Sequence, residues 1–243
     1  MEFVFVLLNA GNGFMGFYGF PGMFYRMDPT YSLVVIGAVI CMIASANVSR
    51  SFSKYSRYGC KRGTTGAQAA EKILHDAGIY DVQIRHISGD LTDNYNPGNK
   101  TLNLSDSVYG SSSIAAVGVA AHECGHAIQH NVGYIPIKIR SAIVPVVNLG
   151  SKLSWPIIIL GVILGSFNML NIGILLFALT LVFQIVTLPV EFNASSRALK
   201  ILDKSGMLYK DEVRGARKVL TAAAMTYITC LLYTSPSPRD TER

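Results

Sequence analysis

The sequence predicts a mainly α-helical membrane protein carrying one small α+β unit, and three observations point there. Half of the 243 residues are hydrophobic and only 15% are charged. The apolar residues gather in long uncharged runs that lack the polar face of a soluble amphipathic helix. Between the first run and the later ones lies a polar region whose periodicity passes from helix to strand and back to helix.

The elements follow in chain order. Residues 1–30, rich in Gly and Phe, have a short apolar stretch with no basic lead and no small-residue cleavage site, so they read as an N-terminal extension rather than a signal peptide. Tyr31 to Asn47 is uncharged and, with its flanks, about long enough to cross a bilayer. Arg50, Lys54, Arg57, Lys61 and Arg62 come next, with no acidic residue before Glu71. The positive-inside rule then puts the N-terminus outside and the chain after Asn47 in the cytoplasm. The net charge of +6 carries no nucleic-acid signature, and its basic residues suit anionic lipid beside a span.

Residues 48–140 read as a cytosolic region. Thr65 opens a helix with Ala67, Ala70, Ile73 and Leu74 at helical spacing and a stop at Gly78. Val82 to Ile87 alternates as a strand, Asn96-Pro97-Gly98-Asn99 is a turn, and Thr101 to Leu104 is a second strand. A helix follows, capped by a hydroxyl from Ser111 to Ser113. In 141–189, Ala142 to Leu149 contains Pro145 and reads as a short buried or interfacial helix. Leu153 to Phe167 and Leu170 to Leu188 read as an antiparallel transmembrane hairpin turning at Asn168-Met169, with Trp155 as an interfacial anchor. Val190 to Ser205 and Lys210 to Thr229 read as cytosolic helices.

The chemistry lies in His122-Glu123-Cys124-Gly125-His126. On a helix, residues four apart share a face, so two imidazoles can meet one metal ion while Glu123 takes a proton from its water. A catalytic zinc site needs a third protein ligand and an open position. Val132 stands where a histidine would complete the pattern on the same stretch, and three histidines at successive i, i+4 positions cannot converge, which leaves His130 as a supporting group. Glu191 is the alternative. It follows the hairpin, and two crossings return the chain to the side on which His126 lies. Its other reading is a carboxylate favoured at a helix N-terminus. The four cysteines form no CxxC pair or disulfide framework, and Cys124 reads as a small helix residue.

The blocks LTDNYNPGNKTLNLSDSVYGSSSIAAVGVAAHECGHAIQH and LPVEFNASSRAL resemble the YugP-like bacterial membrane zinc metallopeptidases, a gluzincin-type family near the HtpX-like membrane proteases. The resemblance implies a zincin-like catalytic unit made by the HExxH helix and a later glutamate-bearing helix. It implies one catalytic Zn2+ held by His122, His126 and Glu191, with Glu123 as general base. Relatives carry an aspartate four residues after the ligand glutamate, where this chain has Ser195, so Asn193, Ser195 and Arg197 are the candidate orienting groups.

The expected function is a zinc-dependent endopeptidase of the bacterial inner membrane, multi-pass, with its site facing the cytoplasm. Its partners are the bilayer and protein or peptide substrates, chiefly membrane proteins, with no nucleic acid. Thr101, Leu102, Asn103 and Leu104 are the candidate strand for pairing with an extended substrate. The rival readings are a zinc-binding scaffold or chaperone that does not cleave, and a transporter. Finally, Cys230 to Asp240 can be back-translated into a transposase mosaic end joined to a sequencing adapter, so 230–243 reads as an artefactual tail.

Overall fold

The computed structural model describes residues 29–233. The N-terminal extension up to 28 and the last ten residues of the tail lie outside them. Helix α1 (Pro29–Ser56) carries the uncharged run and continues into the basic stretch without a break. Helix α2 (Gly66–Asp76) starts at a full capping box. The Gln68 N–H donates to the Thr65 hydroxyl, and the Thr65 N–H donates to the Gln68 side chain. It buries Ala69, Ala70, Ile73 and Leu74 and ends before Gly78.

A three-stranded sheet follows: β1 (Gln83–Ile87), β2 (Asn94–Asn96) and β3 (Thr101–Ser105), in the order β1-β3-β2. β3 pairs parallel with β1 and antiparallel with β2. This corrects one expectation. Thr101, Leu102, Asn103 and Leu104 form the central strand, both of whose edges are taken, so an extended substrate cannot add to it. Burial agrees, because Thr101, Leu102, Leu104 and Ser105 are all buried, leaving neither face of β3 to solvent. Among the described residues, the sheet edge nearest the HECGH helix is the outer edge of β2.

After a single turn, α3 (Asp106–Tyr109), comes α4 (Ile114–Asn131), capped by the Ser113 hydroxyl accepting from the Ala116 N–H. It is buried along most of its length and holds His122 to His126. Helices α5 (Ile135–Ile163), α6 (Phe167–Ser205) and α7 (Lys210–Tyr233) complete the described chain. One core joins α2, β3, α4, the end of α6 and α7 through Ile73, Leu74, Leu102, Val117, Leu202 and Leu220.

The hairpin differs from expectation in two ways. Pro145, Pro156 and Pro189 lie inside continuous helices, so Ala142 to Leu149 joins the following run and Val190 to Ser205 joins the preceding one. A proline forfeits one backbone hydrogen bond, whereas breaking a helix in apolar surroundings strips several. The turn lies at 164–166, ahead of Asn168 and Met169. Gly165 adopts φ +61, and the Ser166 N–H donates to the Gly161 carbonyl, closing α5 in a Schellman motif. A left-handed residue decides that position, and glycine takes it at little cost.

Helices α5 and α6 are both long and apolar enough to cross a membrane. Their outward faces expose Val146, Leu149, Trp155, Ile159, Ile163, Ile172, Leu175 and Val182. At 39 residues α6 measures about 58 Å, roughly twice a hydrocarbon core of about 30 Å. Its C-terminal part therefore outreaches any span and packs on α4.

Candidate metal centre

The site forms where α4 and α6 touch. Gly125 sits at the crossing. A Cβ there would lie 2.8 Å from the Ala194 carbonyl oxygen and 3.1 Å from its Cα, so only glycine lets the two backbones come this close. Glu191, one turn before Ala194, is thereby carried to the histidine face of α4. Its Oε2 lies 3.1 Å from His122 Nε2 and 3.6 Å from His126 Nε2. The candidate ligand atoms of the three residues all fall within 4.8 Å of one another.

The donor set fits zinc. Ligands about 2.0–2.1 Å from a tetrahedral ion stand roughly 3.3–3.4 Å apart; the two carboxylate–imidazole separations of 3.1 and 3.6 Å bracket that span, within a cluster whose ligand atoms lie up to 4.8 Å apart. Second partners aim the ring nitrogens. The Gln129 amide NH2 donates to the Val190 carbonyl at 2.8 Å and to Asn193 Oδ1 at 3.0 Å, which turns Gln129 Oε1 toward His126 Nδ1 at 3.1 Å. An amide oxygen can only accept, so Nδ1 holds the proton and Nε2 keeps its lone pair for a metal. Asn193 is itself oriented by the Arg197 Nε–H at 2.7 Å. On the other histidine, Ser195 Oγ lies 3.1 Å from His122 Nδ1. Ser195 thus engages His122 Nδ1, as Gln129 engages His126 Nδ1, although a hydroxyl can either donate to or accept from the ring; such partners tune metal affinity.

Glu191 is 3% exposed, and its other oxygen lies 3.7 Å from the buried Arg140 guanidinium. Glu123 is also buried, and its Oε2 accepts the Tyr95 N–H at 3.0 Å. Tyr95 sits opposite Leu102 on β2, and because its N–H is donated to Glu123 it points away from β3, on the strand's outer edge. That edge therefore faces Glu123. Asp93, just before β2, is buried and ties the strand to β3 by accepting from the Ser105 N–H at 2.7 Å and the Ser105 hydroxyl. Burial pushes the Asp93 carboxyl up to about 6, with the Glu123 charge adding to the rise against the hydrogen bonds from Ser105.

A family model described as "Putative neutral zinc metallopeptidase" matches residues 30–235. The chain belongs to this family. It is also 44% identical, over 189 residues, to a protein of Bacillus subtilis (strain 168) described as "Putative membrane protease YugP", a match covering 78% of this chain and 84% of that one. No solved structure matches. Both descriptions support a protease, and the family's description implies zinc.

Within this chain the structure brings His122, His126 and Glu191 together and sets Glu123 beside them in sequence, facing β2. Asn193, Ser195 and Arg197 all join the hydrogen-bond frame around the two imidazoles. His130 stands apart from the cluster, its ring tilted against that of Tyr95 at a centroid distance of 5.6 Å. Cys124 is a packed helix residue: its Sγ donates weakly to the Ala70 carbonyl, and burial raises its thiol far above the ordinary range. Sequence reasoning missed Gln129, Arg140, Asp93 and Tyr95. Gln129 had a signal, since it lies three residues after His126 on the same helix and so can meet its ring. Tyr95 contributes through its backbone, which no side-chain pattern reveals.

Proposed function

We propose that this chain is a membrane-embedded zinc endopeptidase with a zincin-like site, in which His122, His126 and Glu191 hold one ion and Glu123 is the general base. The observation that carries the reading is the convergence of two Nε2 atoms and one carboxylate oxygen, with Nδ1 of both rings engaged elsewhere. A zinc ion bound there supplies Lewis acidity, which activates water at neutral pH and polarises a carbonyl. Glu123 takes the proton from the attacking water and delivers it to the departing amine. The Tyr95 N–H holds one Glu123 oxygen in place, and Arg140 holds the Glu191 oxygen that faces away from the imidazoles. An extended substrate pairs with the free edge of β2, where the Tyr95 carbonyl is the first backbone acceptor beside Glu123.

The membrane arrangement belongs to the same reading. Tyr31 to Asn47 on α1 and the apolar parts of α5 and α6 span the bilayer. The basic residues after Asn47 support a cytoplasmic position for the α4 site, and in this arrangement the residues after Leu188 return to that side. Substrates in that geometry are membrane proteins with accessible cytosolic segments. The test is Glu123→Gln in purified protein. Cleavage of a peptide substrate should be lost while bound zinc stays at the wild-type level. Full activity in Glu123→Gln would refute the mechanism, and zinc binding without any cleavage by the wild type would favour a scaffold.

A further inference from the structure

Beside His126 lies a cavity of about 30 Å³ that the chemistry above leaves unused. Its walls come from three elements. Tyr95 and Pro97 belong to β2 and the turn after it, His126 and His130 to α4, and Ile137 and Val144 to α5. The space is small, holding about one or two water-sized groups, and suits a methyl or hydroxymethyl. The walls have little room to retreat. Ile137 is 2% exposed, the Tyr95 ring lies tilted against His130, and Arg140, which also borders the cavity, is engaged with Glu191, while Ser141 forms its solvent-exposed side. Retreat of the Arg140 wall would therefore disturb the metal cluster itself.

Its place matters as much as its size. A peptide lying along β2 turns successive side chains to opposite faces. With its reacting carbonyl beside Glu123, a neighbouring side chain falls at the seam between β2 and α4, where this cavity lies. We infer that the cavity receives the side chain of one of the two residues flanking the scissile bond and restricts it to glycine, alanine or serine. The inference rests on the endopeptidase reading and adds a substrate class to it.

The test presents the zinc-loaded full chain, in detergent or nanodiscs, with a diverse peptide library, and maps cleavage by mass spectrometry. The same peptides are then ranked by competition binding to Glu123→Gln. Small residues should exceed leucine and phenylalanine at one flanking position by on the order of tenfold or more. Val144→Ala should narrow that ratio toward valine and leucine, and Val144→Phe should disfavour alanine against glycine. Equal acceptance of leucine at both flanking positions would overturn the inference, as would ratios unmoved by both Val144 substitutions. If the wild type cleaves nothing, the endopeptidase reading fails on its own, and size selectivity in binding still decides the fate of the pocket.

Discussion

Replacing Gly125 by alanine adds one methyl group where there is no room for it. The added Cβ would stand 2.8 Å from the Ala194 oxygen, 3.2 Å from its carbonyl carbon and 3.1 Å from its Cα. All three are backbone atoms, so no rotamer change relieves the clash, and α4 and α6 must part by roughly half an ångström to reach ordinary contact. Overpacking of this kind costs about 1–3 kcal/mol. Alanine also returns about 1 kcal/mol, because it is the better helix former. The net loss of stability is therefore modest, about 0–2 kcal/mol. The effect on the site should be larger. Glu191 sits one turn from Ala194, and its 3.1 Å and 3.6 Å separations from the histidines lengthen with the same displacement. Zinc affinity, measured by competition with a chromogenic chelator, should fall by about 10–100-fold, the range seen when the groups supporting metal ligands are disturbed. The fall should exceed anything the apo-protein melting shift can explain. A Gly125→Ala protein with wild-type zinc affinity would refute the reasoning that this glycine sets the distance between ligand helices.

Two further outcomes follow from the groups around the site. Asp93 titrates near 6 in the folded chain against an ordinary 3.8, so between those values the folded state binds more protons than the unfolded one. Its contribution to stability is then present below about pH 4 and is lost as pH rises through about 6, a swing on the order of 3 kcal/mol. Asp93→Asn, which keeps an acceptor for the Ser105 N–H, should melt higher than wild type at about pH 8 and no longer share that slope; a lower melting point there would contradict the assignment. Gln129→Leu removes the acceptor on His126 Nδ1 and should weaken zinc binding by about 10–100-fold. Gln129→Glu should retain most of it, and nitrogen NMR of the His126 ring would report the tautomer directly; unchanged affinity in Gln129→Leu would remove that role.

Local chemistry made much of the fold legible. Thr65 with Gln68, Ser113 with Ala116, and Asn96 to Asn99 each specify an end or a turn through neighbours in sequence, and the helices and hairpin stand close to where those signals put them. What was hidden depends on tertiary context. Pro145 and Pro189 look like breaks until the surroundings make a broken helix the costlier choice. Asn168 looks like a turn residue, but Gly165 supplies the left-handed conformation three residues earlier. β3 looks like an accessible strand because its pairing with β1 is parallel and skips over β2, a topology that local alternation does not encode. Burial on both faces of Thr101 to Ser105 is the mark of that central position. At the site, the spacing of His122 and His126 suffices to put them on one face, and a helical hairpin that returns the chain to α4 allows Glu191 to join them. The partners that aim them are a different matter. Arg140 comes from the hairpin and Tyr95 acts through its peptide group, so neither announces itself by type or spacing.

The central claim is that a glutamate from α6 completes the site begun by two histidines on α4. Metal analysis of the purified full chain beside Glu191→Ala and His130→Ala tests it most directly. One zinc per chain is expected in the wild type and in His130→Ala, with zinc lost from Glu191→Ala in a protein that remains folded. Zinc retained in full by Glu191→Ala would contradict it.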